Sequence, residues 1–202
     1  MLKSKNFSYR KMKLEDVYDF KKWGRHNTPL LDDYNFYEDT DIELKDWFNW
    51  KTQNPNNMYF SIFKEDFAIG YISFKYFNKL IKSATLGIVL DPSEINKGYG
   101  SEILLYMMDY YFNSLDQKKI SLKVATFNKR AISLYSKVGF KKVSTHLNFY
   151  ENGYFDDTIV DYRENSDSFI NFMGKTLFYV DKMVLDRNKF NGVIKCISNF
   201  KI

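Results

Sequence analysis

The sequence predicts an α/β domain, and three observations carry that expectation. The chain has 202 residues, of which 45% are hydrophobic, enough to fill one core at the usual domain size of about 100–200 residues. Strand and helix patterns alternate from Ala84 to Lys142, the order that builds layered α/β folds. A two-armed run of β-branched and aromatic residues, Met58 to Lys64 and Phe67 to Phe77 around Glu65-Asp66, reads as a hairpin feeding the same sheet.

Taken in order, Asn6 to Met12 is predicted as a first strand. Leu14 to Trp23 follows as an amphipathic helix with Leu14, Val17, Tyr18 and Phe20 at helical spacing, which Gly24 would end. An acid-rich loop, Asp32 to Asp41, leads to a helix over Ile42 to Lys51 with Leu44, Trp47 and Phe48 as its apolar stripe, and Asn54-Pro55-Asn56-Asn57 breaks it. Ala84 to Leu90 is an apolar strand expected to be covered on both faces. Asp91-Pro92 stops that strand, and beyond the turn Lys97-Gly98-Tyr99-Gly100 a helix is expected from about Ser101 to Asn113. A strand at Ile120 to Thr126, a helix at Lys129 to Val138 and a strand from Lys142 complete the alternation, with right-handed crossovers expected. Farther on, Asp157 to Tyr162 and Leu177 to Leu185 both read as strands, and either of them could close the sheet. One domain over residues 1–202 is expected, with a C-terminal extension from about residue 165.

Composition excludes several classes. The net charge of +5, from 30 basic and 25 acidic residues, is scattered, whereas a dedicated nucleic-acid binder gathers a basic stripe. The single Cys196 supports neither an intrachain disulfide nor a zinc site of the usual spacing, so no metal is expected and a reducing cytoplasm fits. Met1 to Lys11 has no apolar leader segment, and the longest apolar run, Ile103 to Met108, is far short of the roughly 20 residues of a membrane helix.

Chemistry concentrates at the turn Asn96-Lys97-Gly98-Tyr99-Gly100-Ser101. A helix start leaves about four backbone N–H groups unpaired at the positive end of its dipole, and glycines let a pyrophosphate approach them. Lys97 adds charge. The turn is neither a Walker loop, lacking Gly-Lys-Ser/Thr, nor a dinucleotide fingerprint, lacking the third glycine. By itself a Gly-x-Gly turn also joins strands to helices in proteins that bind nothing. A second block sharpens the reading: Asn128 is placed as a helix N-cap, Gly139 suits the closing left-handed position, and Ala131, Leu134, Tyr135 and Val138 share one face.

The two blocks, Leu86 to Leu105 and Val124 to Phe140, resemble the GNAT superfamily of acyl-CoA N-acyltransferases. Its turn has the form Arg/Gln-x-x-Gly-x-Gly/Ala, matched here by Ile95 to Gly100. Its second block is an Asn followed by a helix with Ala, Tyr and a closing Gly-Phe, matched by Asn128 to Phe140. Ile95 departs from the usual Arg or Gln, removing one side-chain contact to pyrophosphate that Lys97 would partly replace. The resemblance implies a central mixed, mostly antiparallel twisted sheet of about six to seven strands, flanked by helices on both faces. It also implies acetyl-CoA as the acyl donor, bound by Ile88, Val89 and Leu90, by Ile95 to Ser101 and by Asn128. A primary amine would attack the thioester through a tetrahedral oxyanion held by the backbone of Ile88 to Leu90. Tyr135 would protonate the leaving sulfur, a phenol of pKa about 10 against a thiol of about 8.5.

On the acceptor side the candidates are His26, Glu38, Asp39 and Glu43, though a run of acids is as readily a solvated loop. The acidic loop would attract a cationic acceptor such as a polyamine, an aminoglycoside or a peptide N-terminus. Neither nucleic acid nor membrane is expected as a partner, and monomer and homodimer both stay open. The alternative reading is a non-catalytic acyl-CoA-binding or sensor module.

Overall fold

The computed structural model describes residues 1–150, 156 and 158–199. The chain divides into two compact units, Met1–His26 with Tyr34–Ile120 and Asn27–Asp33 with the residues from Ser121 onward.

In the first unit the strands β1 (Leu2–Lys3), β2 (Ser8–Lys11), β3 (Met58–Lys64), β4 (Phe67–Asn78) and β5 (Ser83–Leu90) lie in that order, each antiparallel to its neighbour. Helices cover both faces of this ladder. On one, α1 (Leu14–Phe20) and α2 (Asp41–Thr52) seal a core of Val17, Phe20, Trp23, Leu44 and Tyr59, with Trp47 and Tyr71 packed against it. On the other, α3 (Tyr99–Asp109) and a π turn at Tyr110–Ser114 bring Tyr110 against Phe60 at 5.6 Å and Tyr111 against Phe74 at 4.8 Å. Phe20 is fully buried among Trp23, Phe36, Trp47 and Tyr71, and truncating such a ring costs about 3–5 kcal/mol.

Two buried carboxylates tie this unit together. Asp16, in the first turn of α1, pairs with Arg10 and accepts from Ser61 Oγ at 2.6 Å and from the Lys13 N–H at 2.9 Å. Asp91, just after β5, accepts from the Gly24 N–H at 2.9 Å and the Ser93 N–H at 2.8 Å. The helix expected to run to Trp23 therefore stops at Phe20 with Lys21 as its cap. Gly24 acts instead through close approach, since a Cβ there would lie 3.2 Å from the Ser93 backbone nitrogen and Cβ.

The second unit holds β6 (Lys119–Ala125, from Ser121 onward), α4 (Lys129–Val138), β7 (Lys141–Phe149), α5 (Val160–Glu164), β8 (Phe169–Phe172), β9 (Lys175–Asp186) and α6 (Arg187–Asn199). Its strands run β6-β9-β7, with β8 also on β9, and β7 and β8 are antiparallel to β9. The expected strand at Leu177 to Leu185 is thus β9, the partner of β7. The strand expected at Asp157 to Tyr162 is absent: Asp157 lies outside the described residues, and Val160–Glu164 is helix. The Asp156 carboxylate takes both the N–H and the hydroxyl of Thr158, at 2.9 and 2.6 Å, a local turn that competes with extension. Tyr162 is then buried, its hydroxyl 2.9 Å from that of Tyr150.

The mostly antiparallel sheet flanked by helices is the expected class, but the described residues hold nine strands rather than six to seven. The two-residue β1 and the short β8, joined to β9 through the left-handed pair Met173-Gly174, account for the excess. Helix α3 begins at Tyr99, two residues earlier than expected, and gives way to the π turn after Asp109. No helix of the described residues is long and apolar enough to cross a membrane.

Candidate active site

The glycine turn opens directly off β5. Ile88, Val89 and Leu90 end that strand half-buried, opposite Ile72, Tyr71 and Gly70. Gly70 is required there, because a Cβ would sit 2.6 Å from the Leu90 side chain and 2.7 Å from the Val89 carbonyl. A short 3-10 turn, Pro92–Glu94, ends at Ile95, and Asn96 and Gly98 both take positive φ, 63° and 80°. Gly98 is the N-cap of α3 and offers no side chain to its N–H groups. A Cβ at Gly98 would meet nothing within 4 Å, so the space over this helix start is open. Asn96, Lys97 and Gly98 are exposed, while Tyr99, Gly100 and Ser101 are half-buried.

The Tyr99 and Gly100 N–H groups, at a helix N-terminus, fit a pyrophosphate, whereas the Ser101 N–H expected beside them donates to the Gly98 carbonyl at 3.3 Å. The charge expected from Lys97 is partly spoken for: its ammonium lies 3.1 Å from Glu94, which also pairs with Lys64 at 3.4 Å.

In the second unit Asn128 caps α4 as expected, its Oδ1 accepting from the Ala131 N–H at 3.1 Å, and Gly139 closes the helix at φ 106°. That bond commits one lone pair of the Asn128 oxygen to the helix cap. Tyr135 is half-buried on α4, edge-on to Phe140 at 5.8 Å.

Of the acceptor-side candidates, the structure brings Glu38 and Glu43 together around a shallow, solvent-open depression, the cavity of the acceptor side, with Tyr37, Asp46, Trp47 and Trp50; Tyr37, Glu43, Asp46 and Trp50 are exposed. Asp39 is instead exposed and paired with Lys21 at 3.1 Å. The His26 N–H donates to Asn35 at 2.7 Å and its ring meets Tyr34; neither residue lines the cavity. Glu43 has a structural task. Its carboxylate accepts from the Thr40 and Asp39 N–H groups at 2.9 and 3.1 Å, which holds it below the usual carboxylate range and makes it a weak base.

Tyr37, Asp46, Trp47 and Trp50 are the cavity residues that sequence reasoning missed. The signal was present, since 43, 46, 47 and 50 follow the i, i+3, i+4, i+7 spacing of one helix face. Lys51 shows what these rings accommodate: its ammonium sits 3.9 Å from the Trp50 centroid and 5.2 Å from that of Trp47, within cation–π range. Burial, and secondarily the charge of Lys75, push the Lys51 ammonium down to about 8.

Known proteins resemble this chain in sequence and in fold. Spermidine N(1)-acetyltransferase of Vibrio cholerae is 33% identical over 91 residues, which are 44% of this chain and 52% of that protein. An N-acetyltransferase 9-like protein of Nematostella vectensis is 35% identical over 57 residues, 28% of this chain and 29% of the relative. The chain thus spans about half of the first relative and under a third of the second. The crystal structure of a Vibrio cholerae spermidine N-acetyltransferase in complex with CoA and spermine superposes with a TM-score of 0.67 at 19% identity, over 93% of this chain and 99% of that one, which establishes the shared fold. An acetyltransferase (GNAT) domain model matches residues 7–141, more than half of the chain, and the chain belongs to that family.

Proposed function

We propose that this protein is an N-acetyltransferase that moves an acetyl group from acetyl-CoA to a primary amine, with a cationic, polyamine-like molecule as acceptor. The observation that carries the reading is the start of α3: a glycine-capped N-terminus with open space above it, in a chain of the acetyltransferase family. The donor supplies an activated thioester. The backbone of Ile88 to Leu90 holds the acyl carbonyl and stabilises the tetrahedral oxyanion formed by amine attack. Backbone N–H groups of Tyr99 and Gly100 hold the pyrophosphate, Asn128 steadies the donor's arm, the acceptor attacks as the neutral amine and its nitrogen passes its proton through water to solvent, and Tyr135 gives a proton to the departing sulfur. Asn128 and Tyr135 carry these roles from the family block alone.

The polyamine class is supported by the cavity chemistry. Glu38 and Asp46 supply negative charge, and the Trp47 and Trp50 faces suit an alkylammonium. Relatives named as spermidine acetyltransferases point the same way. Glu38, half-buried and outside the α2 cap, is the carboxylate assigned to the acceptor's ammonium.

The test is a thermal-shift titration with acetyl-CoA, with ATP and NAD as controls, followed by a thiol-release assay over spermidine, an aminoglycoside and a peptide. A ligand at about a hundred times its Kd adds roughly 2.7 kcal/mol of stability. A shift with acetyl-CoA alone and turnover with spermidine is the expected result. No shift at millimolar acetyl-CoA would overturn the donor assignment, and binding without turnover over the whole panel would make the protein a non-catalytic acyl-CoA-binding module.

A further inference from the structure

The sheet face under α2 holds a cation without a counter-ion. Tyr71, Ser73 and Lys75 project from one face of β4, opposite Val89, Gly87 and Thr85 of β5. Helix α2 covers that face with Trp47, whose ring centroid is 5.5 Å from that of Tyr71 and which also lines the acceptor-side depression. Lys75 is half-buried, and its ammonium has neither an ion-pair nor a hydrogen-bond partner among the described residues. Its side chain leans along the sheet. In register Lys75 stands opposite Thr85, yet its Cε and Nζ lie 3.7 and 3.8 Å from the point where a Gly87 Cβ would stand. The ammonium is thereby carried toward Ile88 to Leu90, the segment assigned to the acyl carbonyl.

The neighbours of Lys75 narrow what it can do. Burial, and for Tyr59 also the nearby Tyr76, push the Tyr59 and Tyr71 phenols up, so these two groups of the same face keep their protons. Glu43 is committed to the α2 cap, and Glu38 lines the outer depression. Lys51, on the last turn of α2, feels both Lys75 and Glu38, but its ammonium rests on the tryptophan faces rather than over β5. Burial holds the Lys75 ammonium below the ordinary lysine range, so its neutral, basic form is reached at lower pH than in an exposed lysine.

We propose that Lys75 is the proton acceptor of the transfer, the first station on the route by which the attacking nitrogen's proton reaches solvent. The inference rests on the N-acetyltransferase reading. Attack of the neutral amine forms the C–N bond and leaves a cationic nitrogen and an anionic oxygen on the tetrahedral carbon. One N–H proton then passes to the neutral Lys75 Nζ, directly or through one water. The C=O re-forms, the C–S bond breaks, and the sulfur leaves with a proton from the acid. The products are an amide and a thiol, and Lys75, left as an ammonium, returns its proton to water before the next turnover. Half-burial and the like charge of Lys51 both favour that return.

The experiment is thiol release by the full chain with spermidine as a function of pH. On the acid side log(kcat/KM) is expected to rise with a slope of about two, because both Lys75 and the acceptor's amine must shed a proton before attack. Lys75→Met and Lys75→Arg are each expected to lower kcat about a hundredfold or more and to reduce that slope to about one, with acetyl-CoA affinity by calorimetry unchanged. Arginine keeps the charge but gives up no proton in this range. In a Cys196→Ser background, Lys75→Cys followed by aminoethylation puts a primary amine back and is expected to recover both rate and slope. A Lys75→Arg enzyme near the wild-type rate, or a Lys75→Met enzyme whose slope stays at about two, would overturn the inference and leave the transfer reading standing. An unmodified chain that acetylates no amine of the panel would sink that reading and this inference with it.

Discussion

Two helix starts in the same unit solve one problem in opposite ways. At α2 the first-turn N–H groups are satisfied from within. Thr40 Oγ1 accepts from Glu43 N–H at 3.3 Å, and Glu43 reaches back to Thr40 N–H at 2.9 Å, a reciprocal capping box. At α3 the cap is Gly98, with no side chain to offer. The one acid of its first turn, Glu102, is drawn away to Ser4 Oγ and the Asn6 N–H, both at 2.7 Å. A helix start closed by its own side chains is structural, whereas one capped by glycine beneath open space keeps its donors for an anion.

The sharpest way to break this contrast is to close the open end. Gly98→Val puts a β-branched residue at φ 80° and is expected to weaken acetyl-CoA binding about a hundredfold or more, measured by calorimetry. Thr40→Gly at the other helix should leave that affinity unchanged, and a loss of donor binding there would erase the distinction. Tyr135→Phe is expected to lower kcat about a hundredfold, the lower range for a lost general acid, without altering donor affinity; an unchanged kcat removes Tyr135 as the acid.

Smaller effects belong to α2. Trp50→Ala removes a cation–π face worth about 0.5–2 kcal/mol, so KM for spermidine should rise roughly 2- to 30-fold at constant kcat. Thr40→Ala should cost about 1 kcal/mol in urea unfolding and nothing in acetyl-CoA affinity. In the last turn of α2, Lys51 at about 8 should be acylated by acetic anhydride at pH 8 ahead of ordinary lysines near 10.4, as read by peptide mass. Its folded pKa lies below the unfolded value, so the folded state binds fewer protons in that interval. Its contribution to stability therefore improves as pH rises from about 8 toward 10.4.

The sequence was most legible where local rules agree with tertiary packing. The helix Lys129–Val138 was readable to the residue because its Asn128 cap, its closing Gly139 and its apolar face coincide. The hairpin arms of β3 and β4 were likewise marked by their side chains. Where a short apolar run stood alone, as at Thr158 to Val160, pattern could not separate strand from helix. A side-chain turn at Asp156 and the burial of Tyr162 settled it. Within the candidate site, the glycine turn was legible because positive φ and backbone approach call for glycine. The cavity on α2 was read only as an apolar stripe, because Trp47 serves both the core and the cavity wall.

By itself the sequence determined the element types from β2 to β7, the glycine-capped start of α3 and the capped helix α4, since each follows from rules acting within a few residues. The tertiary structure alone decided that Glu43 is a cap rather than a base and that Glu38 shares a cavity with two tryptophans. It also decided that β7 pairs with β9 on one side and with no other strand among the described residues. These depend on which distant segments meet, and chain folding rather than local preference sets those distances.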